Sequence, residues 1–308
     1  MKAEVFGMLQ RNAPGQRNAS SIQGRTRAST SLAKVWYRFS QNGASIVGLV
    51  LLVVILLSTA LAPYVTPYPE HAGVYVNFAE AFKPPSAKHW FGTDEVGRDI
   101  FTRTVFGYRF SLILVVVVLG ISVPIGVLLG LVAGYYGGWV ETLVMRATDI
   151  VLSLPALAAA LAVSAVLGTD LGHTMIALVA IWWTWHARLI HSLVVSLKNE
   201  EYVDAARITG ASGFHIMFRE LLPNCAAPIL VKTALDAAFV TEVGAGLSFL
   251  GLGVKPPAPA LGTMVAKGAT YLPTYWWLSV FPSLAILLLI FGLNWFADGL
   301  RDVLDVDL

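Results

Sequence analysis

The sequence predicts an all-α protein whose main solvent is lipid, with six helices crossing a membrane. Composition is the first reason. Of 308 residues, 56% are hydrophobic and only 13% are charged, about half the charged share of a typical soluble domain. The mean hydropathy of +0.68 agrees. Segmentation is the second. Crossing about 30 Å of hydrocarbon by helix takes about 20 predominantly apolar residues, and six stretches meet or approach that length. The third is the strongly basic segment that precedes the first stretch and gives the chain an orientation.

In chain order, Gly43 to Val65, Phe110 to Tyr136 and Ile150 to Thr169 contain no charged residue. The third of these can begin earlier, near Trp139, with an amphipathic first turn. Leu171 to Ala187 is also free of Asp, Glu, Lys and Arg, with Arg188 marking the inner end of that span. A further apolar run continues to Leu197. Cys225 to Leu252 carries Lys232, Asp236 and Glu242, and Tyr275 to Ala297 is free of charge. Before the first span lie Lys2, Arg11, Arg17, Arg25, Arg27, Lys34 and Arg38 against one acid, Glu4. Basic flanks stay in the cytoplasm, so six spans place both termini inside. Ala60-Leu61-Ala62 imitates a leader-peptidase site. The apolar run is too long and the basic segment too extended for a signal peptide, so an uncleaved anchor is expected.

These features divide the chain into five segments. Residues 1–33, polar and rich in Ser, Arg and Gln, read as a disordered cytoplasmic tail. Residues 34–65 read as an interfacial helix, with Trp36, Tyr37 and Phe39 beside Lys34 and Arg38, followed by the first span. Residues 66–106 form an outward loop whose prolines oppose regular helix. Residues 107–300 hold five further helices, and residues 301–308 a cytoplasmic C-terminus.

Several functions are disfavoured. A net charge of +2 is too small to indicate nucleic acid. The single Cys225 forbids an internal disulfide. No G-x-x-x-x-G-K-[ST] phosphate loop is present, so ATP is not expected to bind this chain. No Cys/His cluster has metal-ligand spacing, and no Ser/His/Asp set suggests a nucleophilic triad. The sequence therefore predicts neither a catalytic residue nor a resident cofactor.

The most patterned polar segment is Lys198 to Pro223, between spans four and five. It reads as two short helices. The first covers Glu200 to Thr209, with acids in its opening turn where they complement the helix dipole, and ends at Gly210. Ser212 caps the second. That helix places Phe214, Met217, Phe218 and Leu221 at i, i+3, i+4 and i+7, an apolar face, and Pro223 lies beyond it. Asp204-Ala205-Ala206 puts two small side chains on the first helix, where a partner backbone can approach. The segment is expected to dock another protein rather than merely connect two spans.

Asp204-Ala205-Ala206, three residues, Gly210, and then Leu222-Pro223 resemble the EAA motif of ABC-importer permeases. Asp204 replaces the usual glutamate, and Glu220 occupies a position where isoleucine is common. Other segments resemble the C-type permeases of the dipeptide, oligopeptide and nickel branch. They are His89-Trp90-Phe91-Gly92-Thr93-Asp94 with Gly97-Arg98-Asp99; Gly134-Tyr135-Tyr136-Gly137-Gly138; Leu247 to Gly253 with Pro256, Pro257, Pro259 and Gly262; and Asn294 with Asp298 to Asp302, Leu304 and Asp305. Leu261 stands in place of a tryptophan and Val306 in place of a proline.

The resemblance implies a type I ABC importer transmembrane fold. It implies a coupling loop made of Asp204, Ala205, Ala206, Gly210, Ala211, Ser212, Phe214, Leu222 and Pro223. It also implies a second, homologous permease, two ATPase subunits carrying ATP and Mg, and an extracytoplasmic solute-binding protein. The solute would be a short peptide, with nickel chelates, glutathione or oligosaccharides carried by sister systems. An ion-coupled secondary transporter is the rival, but it would need a carboxylate cluster at mid-membrane, for which Asp236 is a lone candidate.

Charged residues at mid-membrane face protein or water, which makes Lys232, Asp236, Glu242 and Arg188 pathway candidates. Trp182, Trp183 and Trp185 sit mid-span in the fourth helix and either pack against neighbours or line the cavity, which adds Trp185 to the candidates. Lys232 and Asp236, spaced i and i+4, can pair. Glu242 lies about 120° around the helix from Asp236.

Overall fold

The computed structural model describes residues 32–304. The predicted tail and the last four residues lie outside the described residues. A short N-terminal unit ends at Tyr37 and the main unit begins at Arg38. The described regular structure is helical, and no strand occurs among the described residues.

Helix α1 spans Leu32–Gln41 and carries Trp36, Tyr37 and Arg38 on exposed positions. Asn42 ends it and caps α2 (Gly43–Ala60), accepting a hydrogen bond from the Ala44 N–H at 3.1 Å. The first span therefore stops earlier than its apolar run. Leu61 breaks it, and Ala62–Val65 forms one separate turn with Pro63 near its start, where a missing N–H costs nothing.

Helix α3 covers Ile100–Tyr136 and begins ten residues before the predicted second span. Asp99 sets this start, its carboxylate accepting the Thr102 N–H at 2.8 Å. Residues 100–106, expected in the outward loop, are thus part of the first turns of the helix. Gly137, with φ of +68°, ends it.

The third span is not one straight helix. α4 (Gly138–Leu152) and α5 (Ala156–Leu167) meet at 93°. Pro155 provides the reason, because its ring disfavours helical backbone at Leu154 and it has no N–H to give back along the helix. Helix α6 runs from Leu171 to Leu197, so Arg188 sits inside a continuous helix and not at its end, as expected from sequence. α8 covers Ala226–Phe249. α9 (Leu261–Ala269) packs on α10 (Trp277–Leu304). α10 continues through residues 301–304, the described part of the segment expected to be a separate C-terminus.

Three described helices, α2, α3 and α10, are long and apolar enough to cross a membrane, and the bent α4–α5 pair makes a fourth if it is one span. At 27 and 24 residues, α6 and α8 also have the length, about 40 and 36 Å. They carry ionisable side chains well inside the helix, among them His186, Arg188, Lys232 and Asp236.

The core centres on α3 and α6, which form the largest helix–helix interface. Gly126, Gly130 and Gly134 lie at i, i+4 and i+8 on α3, against the α6 backbone. A Cβ at Gly130 would meet the Ala187 carbonyl, and one at Gly134 would meet Val194 Cβ at 2.8 Å. Small residues at this spacing let two backbones approach closely in lipid, where packing rather than water drives association. At the far end of this interface Lys198 Nζ donates to the Gly134 carbonyl at 2.8 Å, so the C-terminal ends of α3 and α6 are tied together.

Candidate functional site

The segment after α6 folds as two elements joined by a tight turn. α7 (Glu201–Ile208) ends in a Schellman arrangement. Gly210 N–H bonds the Arg207 carbonyl, and Ala211 N–H bonds the Ala206 carbonyl, each at 3.0 Å. Gly210 has φ of +84°, the left-handed conformation that a Cβ penalises. Ser212 Oγ then accepts the His215 N–H at 3.3 Å.

The second element departs from the α-helical periodicity read in sequence. Ile216–Leu221 is π-helical, which brings residues five apart onto one face. Ile216 and Leu221 are buried accordingly, and Met217 with them, whereas Phe214 is 68% exposed and packs against Phe218 in a tilted arrangement, ring centroids 4.4 Å apart. Val203, Ile216, Met217, Leu221 and Cys225 join Leu131, Ile190 and Val194 in one apolar cluster. Ala206, Ala211, Phe218 and Leu222 pack on its edge, so the element is built onto the α3–α6 core.

Its outer side is open. Asp204, Ala205, Ser212 and Pro223 are exposed, and Asp204 accepts a 2.8 Å hydrogen bond from Arg207. Ile208 is 87% exposed. Sequence reasoning passed over Ile208 because a single apolar residue beside a glycine gives no periodicity. Ala205 faces outward while Ala206 faces the core, a division the sequence left open.

The charged candidates separate into distinct places. Asp236 is only 3% exposed. Lys232 donates a hydrogen bond to it, and His186 of α6 brings Nδ1 to 3.7 Å from its other oxygen. Thr233 Oγ1 lies 3.4 Å from His186 Nε2. The Lys232–Asp236 pair expected from i, i+4 spacing is therefore present. His186 was missed as its partner, because nothing in sequence relates positions 50 apart on antiparallel helices. Glu242 is exposed on another side of α8. Trp185 is partly buried, packing at 5.1 Å on the fully buried Trp182 and at 6.3 Å on Phe239. Arg188 is exposed and pairs with Asp149 of α4, a residue the sequence reading did not single out.

The segment between α2 and α3 folds around a second polar centre. Asp94 accepts from the Arg98 N–H at 2.9 Å with one oxygen and from Arg98 Nε at 2.7 Å with the other. His89 Nδ1 lies 2.9 Å from Asp99 Oδ1, and His71 Nδ1 accepts the Asp99 N–H at 2.9 Å. Arg103 donates to the carbonyls of His71 and Pro257, both at 3.2 Å. The Gly92–Asp99 motif is thus a folded brace that starts α3. Burial lowers the His71 pKa, outweighing the neighbouring carboxylates of Glu70, Asp99 and Asp94. Among the described residues no group of three or more His, Cys, Asp or Glu side chains could hold a metal ion.

This arrangement has close sequence relatives. Residues 126–307 match the binding-protein-dependent transport system inner membrane component family. Residues 30–85 match the N-terminal transmembrane domain of oligopeptide transport permease C. A dipeptide transport system permease protein of Bacillus subtilis is 37% identical over 295 residues, 96% of this chain and 91% of the relative. One from Alkalihalophilus pseudofirmus is 38% identical over 268 residues, 87% of each chain. A di/tripeptide transport system permease protein of Pseudomonas aeruginosa is 38% identical over 280 residues, 89% of this chain and 91% of the relative. With a family match over more than half its length and relatives of this identity along nearly all of it, the chain belongs to the inner-membrane permease components of binding-protein-dependent ABC transport systems.

Proposed function

We propose that this chain is one half of the translocation pathway of an ATP-driven importer of short peptides. In this reading it performs no catalysis. ATP and Mg are held by two partner ATPase subunits, a second homologous permease completes the pathway, and an extracytoplasmic binding protein delivers the solute. Both termini and residues 198–223 face the cytoplasm, and residues 66–106 face outward. The names of the relatives support the peptide, and the basic N-terminal segment supports the orientation.

The observation that carries the reading is the two-part element after α6. Its inner side is anchored in the α3–α6 core through Val203, Ile216 and Leu221, and its outer side presents Ile208 and Phe214 to water. An element rigidly built on the spans, with exposed apolar tips, suits transmission of movement from an ATPase to the membrane helices. Ile208, Phe214, Ala205 and the Gly210 turn form the contact surface, and the Lys198–Gly134 bond fixes its base. Closure of the ATPases on ATP would draw two such elements together and open the pathway outward, and hydrolysis would return it inward.

The test is co-purification of the ATPases with affinity-tagged permease, together with uptake by the assembled importer. Ile208→Glu and Ala205→Trp change exposed positions and should leave the abundance of the subunit normal. Each should remove bound ATPase, or leave ATP hydrolysis that no longer responds to the loaded binding protein, with loss of uptake. Normal uptake in both variants would refute the coupling role.

A further inference from the structure

A polar face shared by α4 and α6 is used neither by helix packing nor by the docking element. Thr142, Arg146 and Asp149 lie at i, i+4 and i+7 on α4, all exposed, and Arg188, Ser192 and Ser196 lie at i, i+4 and i+8 on α6, also exposed. The two rows meet where Arg188 Nη2 hydrogen-bonds Asp149 Oδ1. Those two side chains remain 50% and 48% exposed. Beside them His191 Nε2 lies 2.8 Å from Glu141 Oε1. Arg146 has no ion-pair partner among the described residues. The face therefore presents two guanidinium groups against the Asp149 carboxylate, while Glu141 is engaged by His191.

Depth makes this arrangement unusual. Arg188 lies nine residues before the end of the 27-residue α6, about 14 Å along a helix about 40 Å long. With about 30 Å of hydrocarbon centred on that helix, Arg188 sits about 8 Å inside. A charge facing lipid inside the hydrocarbon is costly, so an open ion pair at this depth calls for water or a polar ligand. The contrast with Lys232–Asp236 is informative. That pair is closed over by α6 and serves the packing of two helices, whereas Arg188–Asp149 is left open along a column of hydroxyl groups.

We infer that this face binds the two termini of a short peptide in transit, an inference that rests on the peptide-importer reading above. Arg188, with Arg146, takes the C-terminal carboxylate, and Asp149, released from Arg188, takes the N-terminal ammonium. A guanidinium fork matches a carboxylate with two parallel hydrogen bonds. An open ion pair exchanges partners with a zwitterion while every charge stays compensated, so entry and exit are both feasible. The surplus guanidinium biases the face towards the carboxylate end.

The experiment uses the complete importer in vesicles, with its second permease, ATPases and binding protein. The probes are radiolabelled alanyl-alanine and its C-terminal amide. Readouts are uptake of each probe and ATP hydrolysis stimulated by the loaded binding protein. Arg188→Gln, Asp149→Asn and the double variant should each lower alanyl-alanine uptake about tenfold or more, the scale of one lost charged hydrogen bond. Stimulated hydrolysis should persist in all three. Arg188→Gln should also narrow the ratio of free-acid to amide uptake relative to wild type, a ratio in which discrimination by the binding protein cancels. Arg188→Lys keeps the charge and loses the fork, and should assemble with an intermediate loss. Wild-type uptake in the single variants overturns the inference. So does recovery of full uptake in the double variant, which would show a pair that only holds α4 to α6, and so does failure of all four variants to assemble. A wild-type complex without stimulated hydrolysis would instead overturn the importer reading itself.

Discussion

His71 accepts a hydrogen bond from the Asp99 backbone through Nδ1, and an acceptor nitrogen must be unprotonated. Burial holds its pKa below the ordinary value, about 6.5. With the folded value depressed, the unfolded chain takes up the proton first. The contribution of His71 is therefore complete above about pH 6.5 and is lost as pH falls through the folded value. Hydrogen exchange at the Asp99 amide, corrected for its intrinsic rate, should accelerate as pH drops from about 7.5 to about 5.5. His71→Asn supplies a carbonyl acceptor in place of the ring nitrogen and should flatten that dependence. A pH-independent wild type would remove His71 from the brace. At Asp236 the balance differs. Truncating one partner of a buried ion pair costs about 3–5 kcal/mol because the other charge is stranded. Asp236→Asn should therefore lower the melting temperature of the purified subunit, and Lys232→Met with Asp236→Leu should recover most of the loss. Equal melting of Asp236→Asn and wild type would mean that Lys232 reaches water without its partner.

The α3–α6 interface makes the clearest claim at the level of elements. A side chain at Gly130 meets the Ala187 carbonyl and Ile190 Cβ, whereas one at Gly120, on the same helix, meets nothing within 4 Å. Gly130→Val should destabilise the protein by about 1–3 kcal/mol through overpacking, or prevent accumulation altogether, and Gly120→Val should be nearly neutral. Thermal denaturation of the two variants in detergent makes the comparison, and equal effects would show that the close approach is not needed. The repeat of glycine every four residues was present in the sequence as a small-residue signature, yet composition cannot say which helix it meets. The α4–α5 break was missed, because Ile150 to Thr169 reads as one apolar run although Pro155 lies inside it, and the 93° turn depends on what the two halves pack against.

At the scale of the whole molecule, the basic N-terminal segment and the alternation of spans make orientation testable. Reporter fusions at Thr209 and Val306 should register cytoplasm, and fusions at Val76 and Lys255 the outside. An external Thr209 would invert the topology and remove residues 198–223 from reach of an ATPase. The same test bears on the number of spans, because α6 and α8 bury His186 and Asp236 against each other while Arg188 and Glu242 stay exposed. Charges such as Asp236 and Lys232 make these helices look less membrane-like in composition, although their length suffices.

By itself the sequence determined the lipid-facing, all-α class, the starts of the long helices to within a few residues except for the second and third spans, and the helix–turn–helix character of residues 198–223, while the helices of the fourth and sixth spans run on past their predicted ends to Leu197 and Leu304. Each property so determined is local, set by apolar run length, by the Ser212 cap, and by Gly210 at a turn that a Cβ resists. Only the tertiary structure decided that Ala205 faces outward and Ala206 inward, that Ile216 replaces Phe214 on the buried face, and that His186 joins Lys232 and Asp236. It also decided that Arg188 is paired with Asp149 on an open face. Those facts follow from contacts between helices distant in sequence and from a π-helical turn that shifts the register of a face, and neither leaves a period or a spacing that a single chain can display.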